Sequence, residues 1–257
     1  MLRRGVIAYQ WLSGILGLGG FLLLWAFFAS YYDPSGLIFP GPWATFAVFF
    51  LEMRIWIPSA WNTYSMMVLT LAGSLALSLP IVFGMMVAQP IRATVQTCFI
   101  IFQCLPLFVL APILVMVFGW SSATILLPSV LMVLYPLTMA LWKGAASVPQ
   151  DYLDLFTSCE ASRWRLFWNL QMPFASTHLF AGMRVAVTTC GMAVVACEFA
   201  VGQEGLGMLL QESRRNFDLA MAFCSIAILG MEIASLYLLV VFLEWFLLPW
   251  RRHAHMD

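Results

Sequence analysis

The chain has 257 residues, of which 63% are hydrophobic and only 9% are charged, and its formal net charge is zero. Soluble domains carry about 25% charged residues, so this much apolar side chain cannot be hidden inside one water-facing globule. The composition indicates a membrane protein, and the balanced charge argues against a nucleic-acid partner. The six cysteines contain no C-x-x-C pair, so we expect neither a metal site nor a disulfide framework.

Six apolar stretches are long enough for a membrane helix of about 20 residues. Each is continuously apolar rather than alternating, which favours helices over strands. The six are Trp11–Tyr31, Trp61–Ala88, Val95–Phe118, Ala123–Trp142, His178–Val201 and Ala220–Leu248. The first is longer than the apolar core of a secretory signal, so we expect a retained helix. The sequence therefore predicts an all-α membrane protein with six transmembrane helices.

The distribution of basic residues predicts the orientation of these helices. With the N-terminus in the cytoplasm, eight basic residues face the cytoplasm and three face outward, as the positive-inside rule requires. The eight are Arg3, Arg4, Arg92, Lys143, Arg163, Arg165, Arg251 and Arg252, and the three are Arg54, Arg214 and Arg215. Both termini are therefore expected to be cytoplasmic.

Three regions follow from this arrangement. Residues 1–59 contain the first helix and an outer segment, in which Trp43–Leu51 is expected to lie along the membrane surface. Residues 60–252 form a five-helix core that includes a cytoplasmic loop, residues 143–173. Residues 253–257 form a cytoplasmic tail.

The cytoplasmic loop has the sequence pattern of two short helices. Pro149 can open the first helix, where Asp151 and Asp154 complement the positive end of the helix dipole. Ser162 is a typical N-cap for the second helix, which we expect to end at Pro173. The turn between the helices should project away from the bilayer, where it suits docking into a groove on a cytosolic partner.

The spacing of Asp154-Leu155-Phe156, Glu160 and Met172-Pro173 resembles the EAA motif of binding-protein-dependent ABC importer permeases, in which E-A-A, Gly and Leu-Pro stand at these places. Upstream, QCLPLFVLAPILVMVFGWS is similar to the family's S-I-P…P-L…W-F-G stretch. Downstream, ACEFAVGQEGLG followed by Asn216-Phe217-Asp218 is similar to its A-E…G-x-x-G-L-G…F-D run. The closing LLPWRR is typical of the branch that imports nitrate, sulfonates or taurine, and the thiamine pyrimidine precursor. The resemblance covers about residues 60–252.

The resemblance implies a type I importer permease core with a coupling-helix loop, located in the bacterial inner membrane. It also implies a second copy of the chain, two ATPase subunits that carry ATP and Mg, and a periplasmic or extracellular binding protein that delivers a small solute. The residues that would contact the ATPase are Asp154, Cys159, Glu160, Ala161, Ser162 and Arg163. Glu160 replaces a glycine that permits positive φ, so either the turn differs here or the ATPase groove has adapted.

Polar residues within the predicted spans are functional candidates because they are costly in lipid. Candidates for the translocation pathway are Gln103 and Cys104 in span three, and Thr189 and Glu198 in span five. Glu198 could instead form a structural ion pair. Pro106, which follows the first two candidates, is consistent with either a hinge or a static kink.

Several other residues in the spans have simpler interpretations. Arg184 should snorkel to the cytoplasmic interface, or pair with Glu232. Glu232 could also bind a neighbouring subunit or remain protonated, whereas Glu244 is expected to be unremarkable. Small residues at four-residue spacing in span five favour helix packing, with a dimer seam as the alternative. These small residues are Gly182, Ala186 and Cys190.

The chain lacks the motifs that would make it an ATPase or another enzyme. Lys143 is its only lysine, and no phosphate-binding G-x-x-x-x-G-K-[ST] sequence occurs. A nucleophile–base pair or metal constellation cannot be assembled from the sequence either. A secondary transporter remains the alternative, although the halves show no internal repeat. The scarcity of basic residues in the spans favours a small organic solute over a nitrate-type anion.

Overall fold

The computed structural model describes residues 2–33, 39–202 and 204–248, and for residues 2–13 and 15 it describes the backbone only. All regular structure in these ranges is helical. The helices are α1 (Leu2–Tyr32), α2 (Pro42–Leu51), α3 (Met53–Val87), α4 (Gln89–Cys104), α5 (Leu110–Phe118), α6 (Ala123–Ala146), α7 (Gln150–Ser158), α8 (Arg163–Leu166), α9 (Met172–Val201), α10 (Leu206–Arg215) and α11 (Leu219–Leu247). The predicted tail, residues 253–257, and the closing arginines at 251 and 252 lie outside the described residues.

Four helical stretches are long and apolar enough to cross a membrane: α3, α6, the continuous stretch Arg163–Val201, and α11. A fifth is obtained if α4 and Leu107–Phe118 count as one broken span. In α1, the apolar part found in the described residues is the shorter stretch Leu16–Tyr32. The predicted all-helical membrane protein is therefore confirmed, with four or five candidate spans.

Close contact between α6 and α9 forms the centre of the bundle. A Cβ atom added at Gly182 of α9 would lie 2.4 Å from the Cβ of Ala140, and one added at Gly144 of α6 would lie 2.7 Å from the Cα of Ala175. Ala186 and Cys190 are fully buried against other helices of the same chain. The small-residue stripe of α9 thus serves packing within the chain, which is the favoured of the two interpretations.

Pairs of contacting residues define the two ends of this bundle. At one end, Arg163 contacts Val87, the last residue of α3. At the other end, Glu198 near the end of α9 accepts a hydrogen bond from Thr63 near the start of α3. Helix α3 therefore runs antiparallel to α9. The α7–α8 loop lies at one end of the bundle, and α10 lies at the other.

The third predicted span is not one continuous helix. Helix α4 ends at Cys104, a 3₁₀ turn spans Leu107–Val109, and the axes on either side of the break differ by 69°. Leu105, which precedes Pro106, has an extended backbone with φ −95° and ψ 133°. A proline disfavours the helical conformation of the residue before it and cannot donate the next helical hydrogen bond, which explains the break.

The predicted end of the second loop helix is wrong, and the helix that contains the second predicted span begins before that span. The second loop helix does not end at Pro173 but continues through a π-helical turn, Phe167–Gln171, into α9. A π-helical turn contains one residue more than an α-helical turn. Because Pro173 has no N–H to donate, this wider turn accommodates the missing hydrogen bond, and the helix continues in the same direction. The second span was expected to begin at Trp61, whereas α3 begins at Met53.

The packing of α6 against α9 predicts the effect of enlarging its glycines. Gly182→Ala should lower the free energy of unfolding by about 1–3 kcal/mol, because the new methyl group meets the Ala140 side chain, which has no alternative rotamer. Gly230→Ala is the control, since an added Cβ there meets nothing within 4 Å. Thermal unfolding of the detergent-solubilised variants measures both. Equal melting temperatures for the two variants would contradict this packing.

Candidate functional site

The loop between α6 and α9 forms the predicted helix–turn–helix. Helix α7 begins directly after Pro149, and the Ser162 hydroxyl caps α8 by accepting the N–H of Arg165 at 3.3 Å. Among the predicted coupling residues only Ala161 is half-buried, and the others are exposed: Asp154, Cys159, Glu160, Ser162 and Arg163. The Leu155 side chain beside them is also exposed. The loop thus presents a mixed polar and apolar surface beyond the end of the bundle.

The turn at Glu160 keeps the backbone conformation that glycine would favour. Glu160 has φ 51°, in the left-handed region. The N–H of Ala161 donates to the carbonyl of Phe156 at 3.1 Å, and the N–H of Cys159 donates to that of Leu155 at 3.1 Å, which closes the end of α7. The sequence left open whether the turn differs here or the ATPase groove has adapted. The backbone at Glu160 keeps a positive φ, which contradicts the first alternative, and the second stays a prediction. Glutamate is strained there, because its Cβ crowds the backbone.

Side chains at the start of α8 attach the loop to α3. The guanidinium of Arg163 donates to the carbonyl of Val87 at the end of α3. The ring of Phe83 meets the ring of Trp164 with centroids 5.2 Å apart and that of Phe167 with centroids 5.1 Å apart, both edge-on. The loop is therefore joined to α3 by these contacts and to α9 by continuous helix. Sequence reasoning missed the attachment because Val87 and Arg163 are 76 residues apart.

A cavity of about 250 Å³ lies beside the break between α4 and α5. Its walls come from α4, the broken segment, α6 and α9. The lining residues are Phe99, Phe102, Gln103, Leu105, Leu107, Leu131, Met132, Tyr135 and Thr189. Two of the predicted pathway residues, Gln103 and Thr189, are thus brought together although they lie 86 positions apart in the sequence.

The other two predicted pathway residues lie elsewhere. Cys104 is exposed next to the cavity and is not among its lining residues. Glu198 lines a separate, smaller cavity of about 80 Å³ together with Asn62 and Glu204. The side-chain amide of Asn62 donates to the carboxylate of Glu204 across this cavity.

Glu198 is buried, with 1% of its surface exposed, and joins three helices by hydrogen bonds. Its carboxylate accepts from the hydroxyl of Thr63 in α3 at 2.9 Å and from the N–H of Gly207 in α10 at 3.0 Å. The Thr63 hydroxyl in turn accepts the N–H of Leu206 at 2.8 Å. The first two amides of α10 are therefore satisfied, and a carboxylate lies near the positive end of this helix.

This cluster explains two glycines of the G-x-x-G-L-G run. Gly205 has φ 98°, and a Cβ there would lie 2.4 Å from the carboxylate of Glu198. A Cβ at Gly207 would lie 2.5 Å from the carbonyl oxygen of Val195. Only glycine allows α10 to start this close to the end of α9. The motif thus fixes the connection at the end of the bundle opposite the loop.

Arg184 and Glu244 form an ion pair that joins α9 to α11. Arg184 pairs with Glu244 and not with Glu232, so the view of Glu244 as unremarkable was wrong. Snorkelling of Arg184 to the cytoplasmic interface stays a prediction. The pair is separated by 60 residues, so sequence spacing could not reveal it. One carboxylate oxygen of Glu232 is buried without a hydrogen-bond partner in the described part of the chain. No group of three His, Cys, Asp or Glu side chains there could hold a metal ion.

Comparison with known proteins agrees with this geometry. The family model of the binding-protein-dependent transport system inner membrane component matches residues 76–253. A probable ABC transporter permease protein of Haemophilus influenzae is 30% identical over 179 residues, covering 67% of this chain and 72% of the relative. The formylaminopyrimidine transport permease protein of Halalkalibacterium halodurans is 29% identical, covering 70% and 74%. The taurine transport system permease protein of Escherichia coli is 23% identical, covering 71% and 66%.

The described helices form a membrane-type bundle with an exposed loop at one end, and the family model covers more than half of the chain. The chain belongs to the family of binding-protein-dependent transport system inner membrane components. It is the non-catalytic permease subunit of an ABC importer and a multi-pass protein of the inner membrane. An importer of this class also includes an ATPase and a binding protein.

The turn at Glu160 predicts opposite effects of two substitutions. Glu160→Gly should preserve the hydrogen bond from Ala161 to Phe156, because glycine adopts positive φ without strain. Glu160→Val should weaken this bond, because a β-branched residue is strongly disfavoured at positive φ. Hydrogen–deuterium exchange of the loop peptide reports the difference, with faster exchange expected for the valine variant alone. Equal exchange in both variants would argue against the left-handed turn.

The hydrogen bonds of the buried Thr63 predict that two substitutions at this position differ in their effect on stability. Thr63→Val removes both the donor to Glu198 and the acceptor for Leu206, and should lower the free energy of unfolding by about 1–3 kcal/mol. Thr63→Ser keeps the hydroxyl and should cost less than Thr63→Val. The melting temperatures of the purified variants test this order. A valine variant as stable as wild type would rule out the hydrogen-bond cluster.

Proposed function

We propose that the chain forms the translocation pathway of an ATP-driven importer as a dimer with a second copy of itself. Two ATPase subunits, which carry ATP and Mg, bind at the loop end, and a periplasmic or extracellular binding protein delivers a small solute at the opposite end. The observation that carries this proposal is the exposed α7–α8 loop, which is fixed both to α3 and to α9. A connector without a docking role needs no such double attachment.

The proposed topology has six spans with both termini in the cytoplasm. In it, α1 is the first span, attached with the outer segment to a five-helix core of residues 60–252, and the bent α4–α5 pair is the third span. The charge distribution supports this orientation. Basic residues at the loop end include Arg92, Lys143, Arg163 and Arg165, and those at the α10 end are Arg54, Arg214 and Arg215.

Docking of the ATPase uses the exposed surface of the loop. Asp154 and Leu155 on α7 and Glu160 in the turn offer charged and apolar contacts to a groove. Closure of the ATPase dimer on ATP then moves the loop. Because Arg163 holds the end of α3 and α8 continues into α9, this movement reaches both helices together and switches access to the pathway.

The pathway passes the cavity that contains Gln103 and Thr189, with Cys104 at its edge. The solute is a small organic molecule. Relatives named for formylaminopyrimidine and for taurine support this class. The pairing of Arg184 with Glu244 supports it further, since the positive charge of Arg184 is neutralised within the chain.

Reversing the charge of the loop tests the docking. Asp154→Arg combined with Glu160→Arg should abolish co-purification of the ATPase in mild detergent, together with ATP hydrolysis by the preparation. Both side chains are exposed, so the fold should be retained. Glu212→Arg is the control, because Glu212 is an exposed glutamate on α10 at the other end of the bundle.

Recovery of the ATPase with each preparation decides whether the loop is its docking site. An ATPase recovered with wild type and with Glu212→Arg, but lost with the double variant, supports the importer and its docking loop. An ATPase that is still recovered with the double variant would overturn docking through this loop.

A further inference from the structure

The cavity beside the broken span has the lining of a site for flat rings. Phe99 is buried and meets the ring of Tyr135 edge-on, with centroids 5.7 Å apart. Phe102 lies one turn further along α4, on the same wall. Aromatic side chains bind planar ligands through stacked and edge-on contacts, and ligand pockets are typically lined in this way.

A small number of polar groups converge on the same space. The side-chain amide of Gln103 provides a donor and an acceptor on adjacent atoms. This pair matches a heterocycle that carries a ring nitrogen beside an amino or keto group, as adenine does when it binds such an amide. The Thr189 hydroxyl donates to the carbonyl of Val185 at 3.0 Å, which leaves its oxygen as an acceptor.

The described lining of the cavity lacks a positively charged side chain that could pair with an anion. None of the described residues that line the cavity is charged. Arg184, twelve positions into α9, is engaged by Glu244. The lining side chains therefore offer nitrate or a sulfonate no counter-charge, whereas a neutral ring needs none.

Position and size restrict the solute further. Tyr135 lies close to the midpoint of α6, so the cavity is near the middle of a membrane-spanning helix. Its volume of about 250 Å³ is slightly below the usual range of ligand pockets, roughly 300–1,000 Å³. A molecule of one or two rings fits a site of this size.

We propose that this cavity is a solute-contact site selective for uncharged heteroaromatic molecules of one or two rings, with Gln103 and Thr189 binding the polar edge of the ring. The proposal deepens the proposed function and rests on it, because the cavity is useful only if it lies on the translocation pathway. It assigns part of the specificity to the permease itself rather than to the binding protein alone.

Saturation-transfer NMR on the purified complex in lipid nanodiscs tests the site directly. Cytosine and adenine serve as uncharged ring probes of one and two rings, taurine serves as the sulfonate probe, and nitrate is added as a competitor. We expect saturation transfer to the ring protons, not to taurine, and no displacement by nitrate. Gln103→Leu and Thr189→Val should each weaken ring binding about fivefold to tenfold, since each removes one hydrogen-bonding group.

Two matched controls separate the site from general effects on the helices. Thr188→Val removes a hydroxyl that donates to the same Val185 carbonyl at 2.8 Å, but Thr188 does not line the cavity. Gln96→Leu makes the same change as Gln103→Leu two turns earlier on α4. Both controls should bind the ring probes as wild type does, and gel filtration identifies any variant that fails to fold.

The outcomes distinguish the two proposals. Absence of ring binding, binding of taurine with equal strength, or ring binding that survives both Gln103→Leu and Thr189→Val overturns the site. Recovery of the ATPase with the same wild-type complex reports separately on the importer assembly. If the complex contains its ATPase but binds no ring probe, the importer proposal is supported and only the proposed ring selectivity is overturned.

Discussion

The close approach of α6 and α9 is the contact on which the other features depend. Gly182 and Gly144 allow the two backbones to meet with almost no side chain between them. This contact fixes Tyr135 of α6 and Thr189 of α9 on neighbouring walls of one cavity. It also aligns the far end of α9 with α3 and α10, where Glu198 completes the connection. Hydrogen bonds and aromatic contacts then refine positions that small residues have already determined.

Lipid imposes a second constraint, because backbone groups left unpaired in the hydrocarbon are costly. The bundle satisfies it mainly with long helices, in which the backbone groups pair with each other. The break at Pro106 borders the cavity, and the π-helical turn contains Phe167, which is buried against α3. Departures from helical regularity therefore occur at the cavity and at the attachment of the loop, the two places where the proposed function requires them.

Local signals in the sequence predicted the loop but not its attachments. Ser162 as an N-cap and Pro149 before a first turn depend on neighbouring residues, so the helix–turn–helix could be predicted. Gln103 and Thr189 stood out as polar residues in apolar helices, whereas Phe99 and Tyr135 did not, because apolar residues occupy every face of these helices. The Arg184–Glu244 pair depends on tertiary packing alone. The break after Cys104 was foreshadowed by Pro106, yet its angle was not.

The continuity of α8, the π-helical turn and α9 gives the molecule a mechanical element. Arg163–Val201 contains 39 residues, which at about 1.5 Å each makes a rod of roughly 58 Å, nearly twice the ~30 Å thickness of the bilayer core. The rod is held near its middle by the glycine contact with α6. In the proposed function, a movement of the loop is therefore carried along one continuous helix, past the contact with α6, to the residues around Glu198.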